Sequence, residues 1–273
     1  MVTVPASTLA NYRRFSLYNS PYAAHDRGCA IDLYPADNRG RGLSPVAGEV
    51  VDTRTVRVPD RPYAVAEDHL VLIDTGESVA RVLHVDPAVS PGDRIGVGDS
   101  LGEMVRSGFF GPWVDNHVHL GFREPDANPY RAAGSLPVDV DVAVRPLDWD
   151  GTGVVREAGE TYVVLDEPRH PNPGTWAGLT AGPGLVLDGG CPHYDGGGVL
   201  PGADGPVSLA GSRIGVADGR DVTWDDVTLC ANGEPIRGLS LFVARDAAFG
   251  AKLVCPGHGF AVGDRLTVAV DRS

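Results

Sequence analysis

Lysine is almost missing from this chain of 273 residues: Lys252 is the only one, so arginine carries nearly all the positive charge. Acidic residues outnumber basic ones 36 to 23, a formal net charge of −13. That balance excludes a nucleic-acid partner, since phosphate binding needs a surplus of lysine and arginine. An acidic surface nearly free of lysine resembles the surfaces of halophilic proteins, where carboxylates keep the chain in solution while salt screens their repulsion. Cysteine is scarce too. Cys29, Cys191, Cys230 and Cys255 include no C-x-x-C pair, which excludes a disulfide scaffold and leaves buried thiols in a reducing interior. No run approaches the roughly 20 apolar residues of a membrane span. The segment after Arg13 and Arg14, "FSLYNSPYAAHD", lacks the apolar core of an export signal. The expectation is a soluble cytoplasmic protein with no membrane partner.

Helix-period segments are also few, whereas 36 Gly and 22 Pro punctuate the chain. Short runs rich in Val, Ile and Leu stand between those breaks: "CAIDLY" (29–34), "GEVVDTRTVRV" (48–58), "HLVLIDTG" (69–76), "ESVARVLHV" (77–85) and "NHVHLGFR" (116–123). They read as antiparallel strands, with a hairpin turning at "DTGE". The fold class expected is all-β, with domains at 1–145 and 146–273 and a break near "RPLDWDGTG" (145–153). The second half repeats the strand-and-turn style in "TYVVLDE", "GLVLDGG", "VTLCANG", "LSLFVARD" and "DRLTVAVD", with fewer clues to its role.

Chemistry concentrates at "DNHVHLGF" (115–122), where two histidines stand one residue apart. On a strand, residues i and i+2 face the same way, so His117 and His119 would share a face with Cβ atoms about 6–7 Å apart. Upstream lie "HDRGCAIDLYP" (25–35), "LSPVAGEVV" (43–51), "LVLIDTG" and "VLHVDPAVSPGDRIGVGDSLGEM". This ordered series, from about Tyr22 to Val138, resembles the lysostaphin or LytM-type zinc metallopeptidases. What the resemblance implies is an antiparallel β-sheet domain that binds Zn2+ through His25, Asp32 and His119. His84 and His117 would match the family's two catalytic histidines that do not bind metal. The implied activity is hydrolysis of a peptide or protein substrate, including glycine-containing peptides. Two imidazoles and a carboxylate leave a fourth position on zinc for water, whose pKa then falls towards neutrality.

This sequence departs from the family pattern in places. The family spaces its first two ligands H-x-x-x-D, whereas His25 and Asp32 are seven residues apart, with Asp26 as a competing ligand. "RSGFFGPWVDN" makes the rim of the site more aromatic. A rival resemblance is to cupins, in which His117, His119 and Glu124 would all ligate a metal; their second histidine motif would then fall to His170 in "PRHPNPG". A third reading is a lysostaphin-like scaffold that binds without catalysis. The turn "SPGDRIGVGDSLG" also resembles that of lipoyl and biotinyl carriers, but modification there needs a lysine and residues 1–251 contain none. In the second half, Cys191, His193, Cys255 and His258 could close a structural zinc site, although C-x-H and C-x-x-H some sixty residues apart is not an established spacing.

Overall fold

The computed structural model describes residues 1–35 and 40–272. Strand dominates throughout, and helix among the described residues is confined to Ala6–Leu9 and a 3-10 turn at Asp26–Gly28. The chain is therefore all-β. It divides into two compact units. The first comprises Met1–Phe15 and Tyr22–Val142, and the second comprises Ser16–Pro21 and Ala143–Ser273. The division at Val142 falls slightly before the expected one. The assignment of Ser16–Pro21 to the second unit has no local signal, because only contacts remote in sequence decide it.

In the first unit, five strands matter to the site: β1 (Ala30–Tyr34), β2 (Gly48–Arg57), β3 (Glu67–Asp74), β4 (Val79–Leu83) and β5 (Val118–Arg123). They pair antiparallel in the spatial order β1-β5-β4-β3-β2. The β3–β4 hairpin closes between Asp74 and Val79. Its turn is set by Gly76 at φ 86, whose N–H donates to Asp74 Oδ1 at 2.8 Å. Every residue of β1 and β5 is buried. Two-sided burial explains why these two strands read as near-continuous apolar runs, broken only where a side chain has other work. Arg41–Leu43, Ser100–Met104 and Val85–Pro87 form a second antiparallel group. The backbones there approach so closely that a Cβ on Gly102 would lie 1.8 Å from the Asp86 carbonyl oxygen. One pairing is parallel, Val2–Val4 with Val138–Val140.

The second unit builds its own apolar core from residues such as Val163, Leu165, Leu187, Val199, Leu229 and Leu253. Leu185–Cys191 runs antiparallel to both Gly196–Leu200 and Gly238–Leu241, while Val144–Leu147 lies parallel to Trp176–Leu179. Asp188 is completely buried. It accepts hydrogen bonds from Ser16 Oγ (2.5 Å), Leu17 N (2.6 Å) and Tyr18 N (3.3 Å), which fastens residues 16–18 into this unit.

Candidate metal centre

Register assembles the site. In the β1–β5 ladder His119 stands opposite Asp32, so the two side chains emerge on one face. His25 reaches them from outside the sheet. It opens the 3-10 turn Asp26–Gly28, in which Arg27 (φ 58) and Gly28 (φ 65) take left-handed conformations before β1 begins. That turn absorbs the extra residues between His25 and Asp32. Asp26, the competing ligand by sequence, is exposed.

The result is a tight triangle of donor atoms. His119 Nδ1 lies 3.0 Å from Asp32 Oδ1, His25 Nε2 lies 3.2 Å from the same oxygen, and the two nitrogens are 3.1 Å apart. All three residues are buried. Among the described residues they are the one group of His, Cys, Asp or Glu placed to hold a metal ion. Donors bound to a tetrahedral ion at about 2.0–2.1 Å would stand about 3.3 Å apart, so little movement separates this triangle from a coordination sphere. Burial pushes the His119 imidazole down to about 3, against the pull of the Asp32 carboxylate, so its ring is neutral and has a lone pair to give. Burial would raise Asp32, but the surrounding imidazoles of His117, His25 and His119 outweigh it and hold the carboxyl well below its usual range. A carboxylate and neutral imidazoles are the protonation states that metal binding requires.

His117 and His84 stand beside this triangle. His117 precedes β5 rather than lying in it; its Nδ1–H donates to the Asp115 carbonyl at 2.9 Å, and its Nε2 lies 3.4 Å from Asp32 Oδ1. Burial lowers its pKa, opposed by Asp32. Its ring packs between Phe110 (centroids 4.3 Å apart) and Tyr34 (4.9 Å), and the Arg14 guanidinium caps Tyr34 at 3.9 Å. The same Arg14 reaches Asp115 Oδ2 at 2.5 Å, so one arginine braces both the backbone and the ring that hold His117.

His84 also departs from expectation, because the strand expected over 77–85 breaks there. β4 ends at Leu83, and His84 takes φ 73, an uncommon conformation for a residue other than glycine. Asp68 on β3 holds it, accepting from the His84 N–H at Oδ1 (3.0 Å) and from His84 Nδ1 at Oδ2 (2.5 Å). Ser107 Oγ donates to Asp68 Oδ2 as well, also at 2.5 Å. The His84 ring centroid lies 5.1 Å from that of His117 and 5.8 Å from that of His119. Sequence reasoning missed Asp68 and Ser107. The available signal was phase: Asp68 alternates with the buried Leu70 and Leu72, which puts a carboxylate on a core-facing position.

The other candidates stay apart. Glu124 is exposed, just beyond the end of β5. His170 uses Nε2 to donate to Thr175 O (3.0 Å) and Nδ1 to accept from Asn172 N (3.2 Å), which stabilises a loop and leaves neither nitrogen for a metal. His258 is engaged in the same manner by Gly159 O (2.8 Å) and Phe260 N (3.1 Å). All four cysteines are free thiols, and Cys191, His193, Cys255 and His258 form no metal-binding group. No helix among the described residues is long and apolar enough to cross a membrane.

Comparison with known proteins matches neither a curated protein nor a solved structure. Two family profiles do match, and they divide the chain close to where the two units meet in sequence. Residues 3–140, with the whole histidine cluster, match the N-terminal domain of a family described as a domain of unknown function, DUF8155. Residues 145–271 match the C-terminal domain of the same family, and on these two matches the chain belongs to the DUF8155 family.

Proposed function

We propose that the first unit is a zinc-dependent hydrolase of peptide bonds. The observation that carries this reading is the triangle of His25 Nε2, Asp32 Oδ1 and His119 Nδ1, with edges of 3.0–3.2 Å. Two imidazole nitrogens and one carboxylate oxygen suit zinc, and three protein ligands leave a position for water or substrate. Zinc at such a site polarises a carbonyl and lowers the pKa of water.

The remaining chemistry belongs to the chain. His84, with Nδ1 held by Asp68, keeps Nε2 for a proton, and the buried carboxylate stabilises the ring when the proton arrives. His117, fixed through Nδ1 to the Asp115 carbonyl, presents Nε2 on the Asp32 side of the cluster to orient water or to pair with an oxyanion. Phe110 packs against both rings, at 4.6 and 4.3 Å between centroids, and keeps bulk water from that side.

The test is metal analysis of the purified protein alongside turnover of a glycine-rich peptide library at high salt. About one zinc per chain is expected, with loss of both metal and turnover in His119→Ala. Unchanged metal content in His119→Ala would overturn the ligand assignment. Full zinc in the parent protein with no turnover of any peptide would leave a metal-binding scaffold in place of an enzyme.

A further inference from the structure

On the same face of the sheet, further along the strands, two arginines are buried. Arg81 on β4 stands opposite Gly121 on β5, and Arg123 follows two residues later, so the two guanidiniums are diagonal neighbours on one face. Arg123 is 1% exposed and Arg81 is 4% exposed. Neither forms an ion pair with a carboxylate among the described residues. Their hydrogen bonds go instead to carbonyl groups of the segment after β5. Arg123 NH2 donates to Arg131 O (2.5 Å) and Ala133 O (2.8 Å), and Arg81 Nε donates to Pro129 O (2.6 Å).

Those bonds satisfy only part of the donor capacity. Arg123 Nε and NH1 are buried without a hydrogen-bond partner, and so is Ser135 Oγ in the covering segment. Gly121 lies opposite Arg81 and has no side chain, so Ser135 packs directly over it. A Cβ built on it would come within 3.1 Å of Ser135 Oγ and 3.7 Å of the Cys29 carbonyl oxygen. Two buried cations side by side repel each other, and carbonyl dipoles alone do not neutralise them. Burial together with its neighbour Arg123 lowers the Arg81 pKa to about 10, which reports that shortage of negative charge.

We propose that Arg81, Arg123 and Ser135 bind a small inorganic anion of the halide class, and that this anion ties the 124–136 segment to the sheet. A halide fits better than a tetrahedral oxyanion, because the donors at hand are few and closed off from solvent. The proposal does not depend on the metal centre.

The test compares thermal unfolding in sodium chloride, sodium bromide and sodium gluconate at equal ionic strength, with 35Cl line broadening as a direct measure of binding. Chloride and bromide should raise the midpoint by several degrees and saturate, while gluconate, too large for so closed a site, should not. Arg123→Gln should abolish the broadening at this site and the halide response. Ser135→Ala and Gly121→Ala each keep both arginines and should weaken the response several-fold, which keeps the test decisive if Arg123→Gln does not fold. His119→Ala should leave the response intact, since the metal is not involved. Equal midpoints in chloride and gluconate would overturn the proposal, as would a parental halide response in both Ser135→Ala and Gly121→Ala. A halide response that is absent from the parent and appears in Cys29→Ser would also overturn it, by assigning the counter-charge to the thiol that lies close enough to influence Arg123.

Discussion

Asp32 in the first unit and Asp188 in the second are both buried aspartates on strands, yet their surroundings are unlike. Asp188 faces a hydroxyl and two backbone N–H groups. Those groups have donors fixed in place, so the carboxylate is satisfied and holds Ser16–Tyr18. Asp32 faces the nitrogens of three imidazoles, His119, His25 and His117, at 3.0, 3.2 and 3.4 Å. An imidazole nitrogen donates or accepts according to its proton and can also bind a metal. A carboxylate surrounded by such groups has retained chemical options that Asp188 has given up. The same contrast runs through the two interiors. The first unit buries Asp68, Arg81, His84 and Arg123 in addition to the triangle, whereas the second sets its buried polar groups, Asp188 and Lys252 among them, against a broad apolar core.

The largest effect expected is on the structural aspartate. Asp188→Ala removes the shared acceptor of three buried donors, and leaving them unpaired should cost about 3 kcal/mol of stability, read from denaturant unfolding. Asp32→Ala, measured without metal, should cost less than Asp188→Ala, because its partners are imidazoles that can exchange protons or turn to new partners, whereas the donors to Asp188 are fixed in place. Equal losses in the two variants would mean that the Asp32 cluster is structural as well, and the contrast between the two aspartates would collapse.

Next come the two histidines beside the triangle. His117→Ala and His84→Asn should keep zinc and lose turnover by about a hundredfold or more, since neither supplies a metal ligand and each supplies a proton-transfer or oxyanion partner. Asparagine is the better replacement at position 84, because it tolerates the left-handed backbone at φ 73. Zinc content and peptide turnover are measured on the same preparation. Zinc loss in His117→Ala would instead make both histidines of "HVH" ligands.

These positions differ in how far the sequence exposed them. The strands "AIDLY" and "VHLGFR" were legible because buried β-branched and aliphatic runs between glycine and aspartate breaks have few other uses, and the turn at 74–79 because it carries Gly76. The triangle was legible only through an ordered resemblance, since the approach of His25 to Asp32 depends on a 3-10 turn with two left-handed residues. The backbone at His84 was not legible at all. Its conformation is fixed by Asp68, sixteen positions earlier, through a hydrogen bond to the backbone. In the second unit, glycine-rich strands such as Gly196–Leu200 lack the side chains that periodicity is read from, so the local signal there is weak.

Asp68 gives a smaller and pH-dependent effect. Burial alone would raise its pKa, but the His84 ring, the Ser107 hydroxyl and the His69 N–H together hold it at about 2, against 3.8 for an unperturbed carboxyl. A depressed folded-state pKa stabilises the fold above the unfolded value, and that contribution disappears as pH falls through the folded value. The Asp68 carboxylate should therefore contribute about 2 kcal/mol above roughly pH 4, fading to nothing near pH 2. Unfolding midpoints followed from pH 5 to pH 2 should show the parent and Asp68→Asn converging as acid is added. A constant gap between them over that range would remove the carboxylate from the account.

The smallest effect expected is none, at Glu124, and it is informative for that reason. If His117, His119 and Glu124 ligated a metal together in the cupin manner, Glu124→Ala would lose the metal. Glu124 is exposed just beyond Arg123, the last residue of β5, and lies five positions past His119. At about 3.3 Å per residue, that is some 16 Å of extended chain, longer than a glutamate side chain can recross. The variant should keep its zinc and its turnover, each assayed against the parent. Metal loss in Glu124→Ala with retention in Asp32→Ala would transfer the site from the β1–β5 ladder to the end of β5, and Asp32 would then join Asp188 as a structural carboxylate.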